Sequence, residues 1–249
     1  MAWFGLGRRT PDPAPGALGW DFHCHLVPGV DDGARDLDES LQIIDALKAA
    51  GYSGAVVTPH IYGGVFDNTA AQLREAFAEL QRAVGPGFPL KLAAEYHAND
   101  LLFELIARDE LLHTDIDGER AVLVEFPYLM EAPRGIDALV ALRDCGYRPV
   151  LAHIERYRYV QAQPAQWLER LQNIGVLLQC NIGSLEGMYG PSSQQLARKL
   201  LAERVPHLWS SDVHRAHQVA RYIAPGVRRI APGGALNPAV GGAAQQMAA

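Results

Sequence analysis

The sequence predicts an α/β fold built on a parallel sheet, and two observations carry that prediction. Seven short apolar runs alternate with amphipathic stretches along the 249-residue chain. Six of those seven runs end on His, Asp or Glu, which is where parallel α/β folds gather their chemistry. The alternation leaves the sheet open or closed. The length is long for an ordinary domain and normal for an α/β barrel. With 49% apolar and 20% charged residues, a large packed core is expected.

The runs, in order, are "WDFHCH" (20–25), "SGAVVTPH" (53–60), "LKLAAEYH" (90–97), "RAVLVEFP" (120–127), "RPVLAHIE" (148–155), "GVLLQCNI" (175–182) and "HLWSSDVH" (207–214). They are short and rich in Val, Leu and Ala, as strands covered on both faces should be. Between them, Asp36 can cap a helix with an apolar stripe of Leu37, Leu41, Ile44 and Leu47, and Gly51 lies past its end. Asn68 or Thr69 can cap a second with Leu73, Phe77, Leu80 and Val84, stopped by "GPG". Later helices fit 135–144, 164–174 and 192–204. "TDIDG" (114–118) reads as a turn. The Pro/Gly-rich ends read as flexible tails at 1–19 and 233–249, around one domain at 20–232.

The net charge of −6 speaks against a nucleic-acid groove, which needs a basic footprint. It leaves room for one phosphorylated substrate held by a few arginines. Cys24, Cys145 and Cys180 form no CxxC pair and are expected to be reduced thiols in a cytoplasmic protein. No apolar run reaches membrane-spanning length, and the first twenty residues have no signal-peptide core.

The strand ends are the informative positions. His23 and His25 alternate and so share a face. The following runs end in His60, Glu95, Glu125 and His153, and the last in Asp212 with His214 two residues on. Asp31 and Asp32 follow the first run, where Asp31 is expected to shape the loop. Each residue alone has a bland reading as a satisfied polar group. Together, so many ionisable groups in one mouth need something to neutralise them. Divalent cations do this, and an imidazole–carboxylate set without thiolate suits Mn, Fe or Zn. The ligands exceed the needs of one ion, which points to two or three ions sharing carboxylates. Clustered cations can clamp a phosphate and activate water.

Taken in order, "DFHCHLVPGVDDG", "TPH", "AEY", "VEF", "LAHIERY" and "SDVH" resemble the polymerase-and-histidinol-phosphatase (PHP) superfamily. More narrowly they resemble the bacterial capsule-type tyrosine phosphatases, partners of bacterial tyrosine kinases in polysaccharide export. The likeness covers 21 to about 215. It implies a distorted seven-stranded β/α (TIM-like) barrel of the PHP type. It also implies a cofactor of three divalent metal ions, manganese first and iron, cobalt or zinc as alternatives. The implied substrate is a phosphotyrosine-containing protein, such as the tail of a tyrosine kinase.

By the resemblance, His23, His25, Glu95 and Asp212 hold one ion, and Asp32, His60 and His214 hold a second. Glu95, as a bridge, holds a third with Glu125 and His153. Arg156 in "HIERY" matches a catalytic arginine that binds the substrate phosphate. The family often carries a second such arginine after the last histidine, and here Arg215, Arg221 or His217 is the candidate. "ERYRY" brings Tyr157 and Tyr159 near the mouth, where stacking on an aromatic substrate competes with plain packing. A cysteine mechanism is excluded, because the residues six past the three cysteines are Val30, Leu151 and Glu186, not arginine.

Three other readings compete. One is the same chemistry on a small phosphate ester such as histidinol phosphate. Another is a metal amidohydrolase, which usually bridges its metals with a lysine on the fourth strand, where this chain has Glu125. The last is a metal-binding protein without activity.

Overall fold

The computed structural model describes residues 16–230 and Asn237. In order, the elements are β1 (Trp20–Asp21), α1 (Leu37–Ala50), β2 (Gly54–Val57), β3 (His60–Ile61), α2 (Ala70–Val84), β4 (Leu90–Leu92), β5 (Glu95–His97) and α3 (Asp100–Arg108). Then follow β6 (Thr114–Ile116), β7 (Glu119–Glu125), α4 (Gly135–Asp144), β8 (Arg148–Leu151), α5 (Arg158–Ala162) and α6 (Pro164–Ile174). The last are β9 (Leu177–Asn181), α7 (Pro191–Ala202), β10 (Leu208–Ser210), α8 (Ala216–Gln218), a π-helical turn, and α9 (Ala224–Ile230).

The helices start and stop for local reasons. The Asp36 carboxylate accepts from Glu39 N at 2.8 Å, and α1 ends at Gly51, whose φ of 105° suits glycine. Thr69 and Gln72 form a capping box at the head of α2. Helices α4 and α6 match their expected spans, and α7 begins one residue early, on Pro191. The sequence reading did not separate out α3, which Asn99 caps. "TDIDG" does turn at Asp117 and Gly118, both at positive φ, but Thr114–Ile116 leads in as a strand antiparallel to β7.

The parallel α/β class stands, but the closed seven-stranded barrel is not formed. The ladders make a three-stranded sheet, β1-β2-β4, and a second sheet in the order β10-β9-β8-β7-β5-β3, with β6 paired to β7. Two of the expected strands each split, at Thr58–Pro59 and at Ala93–Ala94, and the halves go to different sheets. Pro59 has no N–H to give a ladder. The seam between β1 and β10 carries an isolated bridge, Cys24 to Val213, flanked by single bonds from Asp212 N to His23 O (2.8 Å) and His25 N to Val213 O (3.1 Å). Asp212 has φ 50°, outside the extended region, so the ladder cannot run through it.

Strand alternation sorts the interior into layers. Phe22, Val56, Ala93, Ala121, Leu123, Val150, Leu177 and Leu208 pack together in one core cluster between the two sheets. Two residues past Val56, Ala93, Leu123, Leu177 and Leu208 come Thr58, Glu95, Glu125, Gln179 and Ser210, all buried, whereas Phe22 and Val150 are followed by Cys24 and Ala152. The opposite parity, including Val122, Val124, Leu151 and Leu178, faces the helices. The interior is therefore apolar at the bottom and ionisable at the C-terminal rim.

Most of the two expected tails lies outside the described residues. Leu18, expected in the first, is buried in the core. Asn237, from the second, accepts from Trp209 N and donates to the carbonyls of Trp20 and Trp209, bridging the starts of β1 and β10.

The Asp36 cap gives a stability prediction. Asp36→Ala should cost about 0.5–2 kcal/mol of unfolding free energy, read as a lower urea midpoint at unchanged slope. An unchanged midpoint would contradict the assigned cap.

Candidate metal centre

The C-terminal rim brings the expected ligands together around Glu95. Its Oε2 lies 3.1 Å from His23 Nε2, 3.3 Å from His25 Nε2 and 3.3 Å from His60 Nδ1. Its Oε1 lies 3.0 Å from His153 Nε2. Asp212 Oδ1 completes the first group at 3.4 Å from His23 and 3.5 Å from His25. Asp32 Oδ1 lies 3.5 Å from His60 Nε2 and 3.3 Å from His214 Nε2, forming the second. Glu125 stands 3.4 Å from His60 and 3.9 Å from His153, beside Glu95 in the third. His60 reaches two groups through its two nitrogens, a sharing that the expected assignment lacked. His25 likewise lies within reach of Asp32, His60 and His214.

The backbone is bent to make this possible. His153 (φ 32°) and Asp212 (φ 50°) both sit in the left-handed region, which is costly for residues with a Cβ. Buried Asp21 accepts from Ser211 N at 2.9 Å and from the Ser211 hydroxyl, fixing the first strand against the segment that carries Asp212. Asp31 accepts from Gly33 N (2.9 Å) and His60 N (3.0 Å) and pairs with His25 Nδ1 (2.8 Å). It shapes the loop, as expected, and also orients the His25 ring. A Cβ on Gly33 would strike the His25 carbonyl and Cβ, so the "DDG" glycine permits a close backbone approach.

Gln179 does for His23 what Asp31 does for His25. Its Oε1 lies 3.1 Å from His23 Nδ1 and accepts from His153 N at 2.8 Å. With both Nδ1 atoms engaged, the two Nε2 atoms meet 3.1 Å apart against two carboxylates. Positive charge must sit between them, as protons or as cations, and a divalent cation satisfies rings and carboxylates together. His60 Nδ1 and His153 Nδ1 are buried without a hydrogen bond. The donor set therefore fits divalent metal ions.

Electrostatics agree. Burial alone would raise Glu95, but His23, His60 and His153 outweigh it and hold the carboxyl well below its usual range. Burial, then repulsion from Glu95 and Asp212, pushes Glu125 well up, a shift that a neighbouring cation would oppose. Burial and Arg156 lower His153 to about 4, leaving a neutral imidazole with a free lone pair. Burial drives the Cys24 and Cys180 thiols well up, which leaves both unreactive.

The ligands open into a cleft of about 480 Å³ lined also by Arg156, Tyr128, Met188, Tyr189, Arg215 and Gln218. Arg156 Nη1 donates to Asp212 Oδ2 at 3.0 Å, a pairing with neither Glu155 nor Glu125. Of the candidates for substrate contact, Arg215 lines the cleft and donates to the Asp32 and Gly33 carbonyls. His217 and Arg221 are exposed and lie outside its lining. Tyr157 is fully buried, stacks on Tyr159 and accepts from Phe126 N at 3.1 Å, so packing takes it and substrate stacking does not. Sequence reading gave no role to Gln179, Tyr128 or Tyr189. For Gln179 a signal was present, since it shares the inward parity of Leu177.

Comparison with known proteins gives the relatives of this chain. Residues 19–231 match the family described as "Capsular polysaccharide synthesis, CpsB/CapC". The tyrosine-protein phosphatase YwqE of Bacillus subtilis is 32% identical over 198 residues, covering 78% of this chain and 76% of its own. A solved structure from work on YwqE of Bacillus subtilis and CpsB of Streptococcus pneumoniae, described as unique metal-dependent tyrosine phosphatases, superposes with a TM-score of 0.74 at 25% identity over 85% of each chain. Histidinol phosphate phosphatase of Lactococcus lactis shares the fold, at TM-score 0.53 and 14% identity over 83% of this chain and 93% of its own. With its strand-end ligands arranged around Glu95 and its match running through nearly all of the described residues, this chain belongs to the CpsB/CapC family of capsular polysaccharide synthesis.

Proposed function

We propose that this protein is a metal-dependent phosphatase that hydrolyses phosphotyrosine in a protein substrate. The observation that carries the reading is the juxtaposition of a carboxylate–imidazole cluster with a partly buried arginine at one cleft. The named relatives supply the substrate class, since YwqE is a tyrosine-protein phosphatase. We assign three ions, manganese first, to the three ligand groups, and the tail of a bacterial tyrosine kinase as the substrate segment. Unpaired cysteines and the lack of any membrane-crossing helix among the described residues support a cytoplasmic setting.

Bound divalent ions would supply Lewis acidity and activate water for in-line attack on phosphorus. The chain supplies the rest. Glu95 spans the groups, Asp31 and Gln179 hold the ligand rings in one orientation, and buried carboxylates keep the cations close. Arg156 neutralises charge on the non-bridging phosphate oxygens. Its partial burial suits that task, because a guanidinium keeps its charge where an ammonium would lose it more readily. No side chain need form a phosphoenzyme, and the two buried thiols are unreactive.

Chelation should abolish hydrolysis of a phosphotyrosine peptide, and manganese or cobalt should restore it. Phosphoserine peptides and histidinol phosphate, run alongside, should turn over far more slowly. Full activity in chelated, metal-free protein would overturn the metal assignment, and a preference for histidinol phosphate would overturn the substrate class.

Arg156→Ala separates substrate handling from metal handling. A charge-assisted contact of about 1.5–3 kcal/mol corresponds to a loss of roughly 10–200-fold in kcat/KM. Metal content and thermal midpoint, measured on the same sample, should stay near wild type. Normal turnover, or a fall that only tracks metal loss or unfolding, would remove Arg156 from the phosphate site.

A further inference from the structure

Two tyrosines outside the ligand set flank the Arg156 guanidinium. Tyr128 lies three residues past Glu125, and Tyr189 lies between Gly187 (φ 82°) and Gly190 (φ 90°). The guanidinium carbon is 4.4 Å from the Tyr128 ring centroid and 4.0 Å from that of Tyr189. Each hydroxyl also reaches a carboxylate of the ligand set. Tyr128 donates to Glu125 Oε2 at 3.4 Å, and Tyr189 donates to Asp212 Oδ2 at 3.1 Å. The same Asp212 oxygen takes Arg156 Nη1 (3.0 Å) and Asn181 Nδ2 (2.6 Å), while its Oδ1 faces the histidines. Both tyrosines line the cleft with Arg156.

A free arginine side chain samples many rotamers, and a group fixed before its ligand arrives loses less on binding. A partly buried guanidinium is also attracted by aromatic faces. We propose that Tyr128 and Tyr189 are positioning residues: their rings hold Arg156 in the orientation that meets the phosphate, and their hydroxyls tie that orientation to Glu125 and Asp212. The inference rests on the reading of Arg156 as the phosphate-binding group.

The test uses the full, metal-loaded chain. Tyr128→Leu, Tyr189→Leu, Tyr128→Phe and Tyr189→Phe are each made in the wild-type and Arg156→Ala backgrounds. The readouts are the Kd of inorganic phosphate by calorimetry, KM and kcat with an aryl phosphate, and bound metal. Each leucine variant should weaken phosphate binding and raise KM by about 3- to 30-fold, with metal retained. Each phenylalanine variant keeps the ring and should weaken phosphate binding by only about 2- to 10-fold. In the Arg156→Ala background all four effects should shrink to about twofold or less. Equal losses with and without Arg156, or unchanged phosphate affinity in every variant, would overturn the proposal. The phenylalanine variants preserve the packing and decide the hydroxyl link even where a leucine variant folds poorly. A wild type that turns over no aryl phosphate would defeat the functional reading, while the phosphate-binding cycle still decides the clamp.

Discussion

Glu95 is buried, and its two oxygens meet four imidazoles within about 3.3 Å. No other carboxylate of the cluster meets four imidazoles, and the rest of the site is arranged around it. A carboxylate in that position is anionic only because positive charge surrounds it. Burial, with repulsion from Glu95 and Asp212, shifts the neighbouring Glu125 the other way, toward its neutral form. A pair of carboxylates with opposite tendencies, sharing His60 and His153, becomes a stable arrangement once cations lie between them. The metal reading follows from this charge balance as much as from the count of ligands.

The fold bends to serve that balance. A regular closed barrel would keep every strand extended through the rim, yet Asp212 and His153 leave the extended region where their side chains enter the cluster. The β1–β10 seam is held by single backbone bonds and by Asp21 against Ser211, in place of a continuous ladder. Beneath the cluster, Gln179 ties the first strand to the fifth-run histidine through one amide oxygen. Asp212 divides its two oxygens between the histidines and Arg156, so under the proposed function one side chain would link metal handling to phosphate handling.

Much of this was legible in the sequence because strand ends and helix caps are local signals. The period-two placement of Ala121, Leu123 and Glu125, or of His23 and His25, can be read from spacing alone. The Asp36 cap, the Gly51 stop and the spans of α4 and α6 follow from short-range chemistry. What could not be read depends on contacts between distant segments. The splitting of two strands between sheets depends on which distant strands pair with each half. The ring of Tyr157 falls inward because of where Tyr159 and Phe126 lie, and the rings of Tyr128 and Tyr189 fall on Arg156 from loops 61 residues apart. His217 and Arg221 follow the last histidine in sequence, but the helical run after Arg215 carries them away from the cleft.

The central claim is that Glu95 is shared between cations. Anomalous diffraction from crystals grown with manganese tests it directly. The account predicts more than one anomalous peak at the C-terminal rim, with the Glu95 carboxylate within ligand distance of two of them and His23, His25, His60 and His153 completing their shells. A single ion bound without Glu95, or no peak among these side chains at saturating manganese, would contradict it.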